Sequence, residues 1–458
     1  VTRAPEIMPP AAAYSEIDAV NFATGEMRSI FSDDSGLKGM LEVEAALARA
    51  QAGVGLVPQQ IAEKITAAAR LDKIDIARVI ASVRTIGYPV VGLVNELRAA
   101  SGEDAARYIH LGATTQDIVD TAMVLQIRTA SALLRRDLLA VARALAARAR
   151  EFRDTPMAGR THLQQAVPIT FGLKCAVWAA PLARSVERLD HAIERCSCVQ
   201  FGGAAGTLAA LGDHGIEVMN ALATELGLGV PPAPWHVARD GFAEIAAVLG
   251  IICGSLAKFA LDSTLLAQTE VGEVAEGGGA ERGGSSTMPQ KRNPIASEYI
   301  IAAARTVHAL VPVMLGALVQ EHERATGGWQ SERLVFAQTF VLTAGALAHA
   351  RAVAEEMTVD AARMRANLDA GGGLIMAEAI ATALTPALGR AAAHEAVERA
   401  CKRAIEESKP LRDVVMADPD IRSRLSESEI RRVTDPSSYL GSAGAFVDRV
   451  AAEVEALS

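Results

Sequence analysis

Residues 122–154 read AMVLQIRTASALLRRDLLAVARALAARAREFRD, with neither glycine nor proline. Leu125, Leu133, Leu134, Leu138, Val141 and Leu145 recur at helical spacing, while Arg128, Arg135, Arg136, Arg143 and Arg150 fall largely off that stripe. The pattern predicts one long amphipathic helix, about 45–50 Å at roughly 1.5 Å per residue. A rod of that length needs neighbours of similar length to cover its apolar stripe. Residues 170–199, 242–276, 296–322 and 336–357 all read as long helical tracts, two of them interrupted by Pro181 and Pro312, where kinks are expected. These four are apolar all round, as inner helices of a bundle or of an oligomer would be. Aromatics make up 4% of the chain and alanine is abundant, which favours helix over sheet. The reading is all-α, with a central long-helix bundle.

The flanks differ from this centre. Up to residue 112 the helical pieces are shorter, separated at residues 53–58 and 87–89; beyond residue 358 they shorten again, with breaks at 371–373, Pro386, Pro410 and Pro436. Three domains are expected: 1–112, a central bundle over 113–357 that carries the loops described below, and 358–458. The 458 residues carry 45 Lys+Arg against 54 Asp+Glu, a net charge of −9 that argues against a nucleic-acid surface. The five cysteines (Cys175, Cys196, Cys198, Cys253, Cys401) form no C-x-x-C, so reduced thiols in a cytoplasmic protein are expected. Residues 1–10 lack the apolar core of a secretory signal. The uncharged run at 245–257 is shorter than the ~20 residues of a membrane helix, so it reads as a buried soluble helix and no membrane partner is expected.

Three stretches interrupt the helices with residues that packing does not require. Residues 109–117, IHLGATTQD, place polar side chains just before the long helix, either as an N-cap or as hydroxyls and amides gripping an anion at a helix N-terminus. Residues 159–168, GRTHLQQAVP, set His162 beside Thr161 and Gln164 in a polar loop ahead of an apolar helix. Residues 277–294, GGGAERGGSSTMPQKRNP, form a glycine-dense loop between two long helices. That loop lacks the phosphate-loop, dinucleotide and nucleophile-elbow patterns. It offers two serines, a lysine and an asparagine. A serine acts as a base when its alkoxide is stabilised, and backbone N–H groups with a nearby ammonium can do that.

These stretches resemble the signature regions of the fumarase/aspartase superfamily, which includes argininosuccinate lyase, adenylosuccinate lyase and 3-carboxy-cis,cis-muconate cycloisomerase. SSTMPQKRNP at 285–294 is similar to the superfamily's G-S-S-x-M-P-x-K-x-N-P loop. The resemblance is closest to the cycloisomerase branch and spans nearly the whole chain. Phe31-Ser32-Asp33 with Gly39-Met40-Leu41, residues 110–117 and 200–204, and Pro234-Trp235-His236 carry it. Gln268-Thr269-Glu270, residues 320–324, and Asp435-Pro436 with Tyr439-Leu440-Gly441 continue it. The resemblance implies general acid–base chemistry at carbon beside a carboxylate. Ser285 would abstract or return the proton, and Lys291, Asn293, Thr114 and Thr115 would hold the carboxylate as an enolate-like dianion develops. His162 would protonate the leaving group, paired with Glu298. His110, Gln116, Thr161, Gln164, Arg239 and Arg333 complete the expected substrate contacts. The resemblance also implies a homotetramer whose sites are shared among subunits, a small polycarboxylate substrate, and no metal or cofactor.

The chain departs from its branch at informative places. Bacterial cycloisomerases of the branch carry tryptophan where His162 stands, histidine where Gln165 stands, and a small residue where Glu298 stands. The His–Glu pair of the lyases thus sits on a cycloisomerase-like frame. Elimination has a poor leaving group that needs a proton donor, whereas lactonisation by an internal carboxylate does not. The expectation is therefore a lyase acting on a succinyl-type C–N or C–O bond. The alternatives are lactonisation of 3-carboxymuconate in protocatechuate catabolism, and a catalytically silent structural homologue, against which Ser285, Lys291, Asn293 and His162 speak. Adenylosuccinate lyase itself fits less well, since Tyr88-Pro89-Val90-Val91 and Ala238-Arg239-Asp240 replace its histidine and Gln-Arg-Asp signatures. Arg333 is expected either to clamp a second carboxylate or to form a salt bridge with Glu332 or Glu321.

Overall fold

The computed structural model describes residues 16–279 and 282–457; residues 1–10, and Ala280 and Glu281 of the glycine-dense loop, lie outside the described residues. The all-α reading is borne out, with two small antiparallel ribbons as the exceptions. We name the elements used below in chain order: α1 (Asp33–Gly53), α2 (Ile76–Ile86), α3 (Pro89–Ser101), α4 (Thr115–Glu151), α5 (Phe171–Cys196), α6 (Asp240–Leu266), α7 (Ile295–Gly316), α8 (Gly328–Glu356), α9 (Ala377–Leu388) and α10 (Arg390–Glu406). The ribbons pair β1 (Pro156–Thr161) with β2 (Gln164–Thr170), and β3 (Val274–Ala275) with β4 (Thr358–Val359).

Each of the five long tracts forms a helix, with altered ends. α4 begins at Thr115 rather than at residue 122, and α8 at Gly328 rather than at residue 336. Polar residues in a first turn look like loop in sequence. α6 stops at Leu266 and the chain turns through Gly272, at φ +60°. The apolar run at 245–257 is one part of α6, so its shortness does not set the helix length. α6 and α7 are both long and apolar enough, by length and composition, to cross a membrane.

The chain divides into two compact units, each built from three stretches of sequence. The first comprises residues 1–137, 185–254 and 302–348; the second comprises 138–184, 255–301 and 349–458. The breaks fall inside the residue ranges of the long helices. In the first unit, Leu41 and Leu47 of α1 pack in one core with Leu93 and Leu97 of α3, Phe201 and Trp329. A row of rings runs Phe31–Phe340–Phe336–Phe242–Trp235, with successive centroids 5.0–5.4 Å apart. The second unit has its own row, Phe152–Phe171–Trp178–Phe259, at 5.4, 6.0 and 5.2 Å. The scarce aromatic residues are thus concentrated where they contribute most buried area. Ile380 and Leu384 of α9 and Val397 of α10 build a further small core with Leu411, Ile421 and Ile430.

The entry to α5 depends on a close backbone approach. Gly172 donates its N–H to the Phe152 carbonyl at 2.9 Å. A Cβ there would lie 2.5 Å from the Ala149 oxygen and 2.7 Å from that of Phe152, so any side chain must push the end of α4 away. Gly172→Ala is therefore expected to destabilise the fold by about 1–3 kcal/mol. The check is a lower urea midpoint with an unchanged slope.

Candidate active site

In the first unit the polar stretch before α4 forms a capped helix entrance. Thr114 is the residue before the helix, and its N–H donates to Asp117 Oδ2 at 2.9 Å, while Asp117 N–H donates back to the Thr114 carbonyl at 3.0 Å. Asp117 is buried and accepts three further hydrogen bonds, from Gly202 N–H at 3.0 Å, Gly203 N–H at 2.9 Å and His236 Nε2 at 2.7 Å. The Thr114 and Thr115 side chains are half-buried and have no hydrogen-bond partner among the described residues. Two free hydroxyls at the positive end of a 37-residue helix can receive a carboxylate.

His110 stands at this entrance with φ +65°. Its Nδ1 meets Glu44 Oε1 at 2.6 Å, which leaves Nε2 uncommitted. Burial opposes its protonation, but the Glu44 carboxylate, joined by Asp117, outweighs burial and raises its pKa above the ordinary imidazole value. Glu44 was not foreseen from sequence, although a signal existed. Leu37, Leu41, Glu44, Ala48 and Gln51 share one face of α1, and all are buried. Gln51 Nε2 donates to the Leu111 carbonyl at 2.7 Å, so two polar side chains on an apolar helix face hold consecutive residues of the entrance.

Two expected substrate contacts are corrected. Gln116 is 2% exposed; its Nε2 donates to Asp120 Oδ2 at 3.0 Å and to the His236 carbonyl at 2.8 Å, and its Oε1 accepts from Arg324 at 2.7 Å. Arg239 is also 2% exposed, bonded to Asp120 at 2.6 Å and to Glu332 at 2.6 Å, with its guanidinium 5.0 Å from the Trp235 ring centroid and 4.7 Å from that of Phe242. Both side chains are buried and bonded to neighbours within the first unit. Their polar chemistry meets a need of the core, because buried charges must be paired and hydrogen-bonded. Arg333, by contrast, has no ion pair among the described residues. Glu332 is bound to Arg239, and Glu321 accepts from Thr326 N–H at 2.8 Å, so neither expected salt bridge forms.

In the second unit the polar loop around His162 is the tip of the β1–β2 hairpin. Thr161 pairs with Gln164, and His162 and Leu163 form the two-residue turn with φ +52° and +64°. A two-residue hairpin turn with positive φ at both positions ordinarily uses Asn-Gly. Filling it with His-Leu stores strain at an exposed tip. The hairpin is anchored below the tip, where Arg160 grips the fully buried Glu273 through two bonds of 2.9 and 2.7 Å and Asn367 donates to the same carboxylate at 2.7 Å. Thr161, His162 and Gln164 are exposed, with no side-chain partner among the described residues.

The glycine-dense loop is also pinned at its base. Glu276, ahead of the loop, accepts from Ala296 N–H at 3.0 Å and Ser297 N–H at 2.8 Å in the first turn of α7. Asn293 N–H donates to the Gly283 carbonyl at 2.8 Å, and Gly284 bridges to Arg292. Gly283 has φ +69°, and a Cβ there would lie 2.2 Å from the Asn293 oxygen, so glycine is required where the two strands of the loop close. Within the loop Ser285 Oγ accepts from Thr287 N–H at 3.3 Å and Met288 N–H at 3.2 Å. Donors aimed at a hydroxyl oxygen favour its deprotonated form. Lys291 is exposed and Asn293 half-buried in the same loop. Glu298, in the first turn of α7, is exposed, and neither it nor His162 has a side-chain ion pair or hydrogen bond among the described residues. The expected His162–Glu298 pair is therefore not formed within one chain.

Residues 19–309 match the family described as Lyase, and residues 373–450 match that described as Adenylosuccinate lyase C-terminus. A 3-carboxy-cis,cis-muconate cycloisomerase of Pseudomonas aeruginosa is 47% identical over 439 residues, covering 95% of this chain and 96% of its own. The crystal structure of 3-carboxy-cis,cis-muconate lactonizing enzyme from Pseudomonas putida is similar with a TM-score of 0.91 at 43% identity, over 96% of this chain and 99% of that one. The crystal structure of fumarate lyase from Mesorhizobium sp. BNC1 is similar at 0.89 and 45% identity, over 94% and 98%.

The His110–Glu44 pair makes a prediction about pH. Because the folded pKa is raised, the pair's stabilisation is complete below the ordinary imidazole value, about 6.5, and fades as pH rises through the elevated one. In Glu44→Gln the burial penalty stands unopposed by that carboxylate, so the His110 pKa is expected to fall. NMR titration of the ring reads this directly, and an unchanged value would contradict the pairing.

Proposed function

Because the chain belongs to the lyase family of the fumarase/aspartase superfamily, we propose that it eliminates across a C–N or C–O bond of a succinyl-type polycarboxylate and releases a fumarate-like acid. Ser285 Oγ takes the proton from the carbon beside one carboxylate. The electron pair first spreads onto that carboxylate as an enolate-like dianion, held by Lys291, Asn293, Thr114 and Thr115. It then forms the C=C bond as the C–N or C–O bond breaks, and the leaving atom takes its proton from His162. The observation that carries this reading is the Ser285 hydroxyl, which receives two backbone N–H groups in a loop whose base is pinned on both sides.

The site is proposed to be assembled in a homotetramer. Thr114 and Thr115 belong to the first unit, whereas His162, Ser285 and Glu298 belong to the second. Exposed apolar side chains on the central helices, Ile251 and Leu261 of α6 and Val313 and Leu315 of α7, support burial against further copies. In such an assembly Glu298 of one copy would orient His162 of another. The five free thiols accord with a cytoplasmic setting.

A second reading, lactonisation of 3-carboxymuconate in aromatic catabolism, is favoured by the 47% identity to a cycloisomerase. It shares the serine base and the carboxylate clamp, and dispenses with the acid. Ultraviolet assays separate the two: supplied 3-carboxymuconate loses conjugated absorbance on cyclisation, while succinyl-amines gain fumarate absorbance on cleavage. Ser285→Ala is expected to abolish turnover in either case, with the oligomer unchanged by light scattering; near-normal rates would remove the base assignment. His162→Asn is expected to lower elimination by about 10²–10⁴-fold. A loss of less than tenfold would favour lactonisation.

A further inference from the structure

A cavity of about 360 Å³ opens within the first unit, inside the roughly 300–1,000 Å³ range of small-molecule sites. Its walls are mostly aliphatic, with Leu37 and Met40 from α1, Val79 and Val83 from α2, and Val119 and Met123 from α4. Thr115, Val119, Met123 and Gln126 recur at four, four and three residues along α4, so they share one face. The cavity therefore continues the face that begins with the free Thr115 hydroxyl at the helix entrance.

Four polar side chains line this cavity: Ser32, Asp33, Gln126 and Arg333. Two are spoken for. Ser32 Oγ accepts from Ser35 N–H at 3.2 Å and donates to the Ser29 carbonyl at 2.8 Å, while Gln126 Nε2 donates to the Ile30 carbonyl at 2.6 Å. Arg333 and Asp33 have no ion pair or hydrogen bond from their side chains among the described residues. The Arg333 guanidinium lies 5.7 Å from the Trp329 ring centroid, which orients it. An aliphatic cavity with one free guanidinium fits an apolar chain that ends in an anion. The Asp33 carboxylate in the same lining disfavours a dianionic end, so a carboxylate fits better than a phosphate.

We propose that this cavity holds the distal part of the substrate, an apolar leaving group ending in one carboxylate, and that Arg333 is the specificity-determining residue for it. The proposal rests on the elimination reading and names the leaving group that reading left open. Succinyl-type substrates with bare ammonia or water as leaving group would leave the cavity empty and forfeit its binding energy.

The test compares N-octylaspartate, N-(7-carboxyheptyl)aspartate and N-(7-phosphonoheptyl)aspartate as substrates, read by fumarate formation, and octanoate as a calorimetric probe. The wild-type protein is expected to favour the carboxyheptyl compound at least tenfold in kcat/KM over both others. Arg333→Ala is expected to erase that preference, Arg333→Lys to retain part of it, and octanoate affinity to fall at least tenfold in Arg333→Ala. Arg333 is exposed, so its loss is not expected to unfold the chain. Equal kcat/KM for all three compounds would overturn the cavity assignment and leave elimination standing. If no compound is cleaved, elimination falls and octanoate alone decides the cavity: an affinity that Arg333→Ala leaves unchanged overturns it, and a tenfold loss sustains it.

Discussion

One buried carboxylate holds together the first unit's part of the candidate site. Asp117 accepts from the backbone of Thr114, Gly202 and Gly203 and from the His236 ring, all at 2.7–3.0 Å. Chain segments remote in sequence are thereby tied to the first turn of α4. One turn further on, Asp120 draws in Arg239, Gln116 and the Trp329 indole. Each oxygen is costly to bury and is compensated by several donors, so removing any single donor exposes the full desolvation cost of what remains. The position of the Thr114 and Thr115 hydroxyls follows from this arrangement, because the carboxylate that fixes the backbone leaves their side chains unbound.

The second unit uses the same principle with different parts. The hairpin tip and the glycine-dense loop are each anchored by a buried or capping carboxylate, Glu273 in one case and Glu276 in the other. The side chains assigned chemistry in the proposed scheme sit beyond these anchors. Such a layout limits the conformational freedom of the tips while leaving their side chains accessible. The positive φ angles at His162 and Leu163 persist because the ribbon below them determines the turn.

Helix content was legible because apolar residues repeat at 3.6-residue spacing over long tracts. Helix starts were less legible, since the first turns of α4 and α8 are polar for reasons of capping and burial. The β1–β2 hairpin was not legible, because its turn lacks the glycine that marks such turns. The glycine-dense loop stood out as a candidate site, since neither packing nor helix formation accounts for two serines, a lysine and an asparagine there. Gln116 and Arg239 show the limit of such reasoning. A polar side chain next to a signature residue serves the ligand or the core, and sequence does not distinguish the two. Glu44 shows the converse: a lone carboxylate on an apolar helix face was a readable signal of a buried partner, which turned out to be His110.

The separation of the anchors bears on how one scaffold can host two reactions. In the proposed scheme proton abstraction and the carboxylate clamp draw on the loop at 283–293 and the entrance of α4. Leaving-group protonation draws on the hairpin tip, with Glu298 of another copy as its proposed orienting partner. Glu273 holds the hairpin through Arg160, below the tip, and among the described residues no bond at 283–293 reaches the hairpin. Within one chain, exchanging the side chain at 162 breaks no side-chain bond among the described residues. Lactonisation and elimination differ chemically in whether that acid is needed, so in the proposed scheme the two readings part at position 162. A histidine at a strained, exposed turn carries a conformational cost with no side-chain partner among the described residues, and the proposed role in proton delivery would account for it.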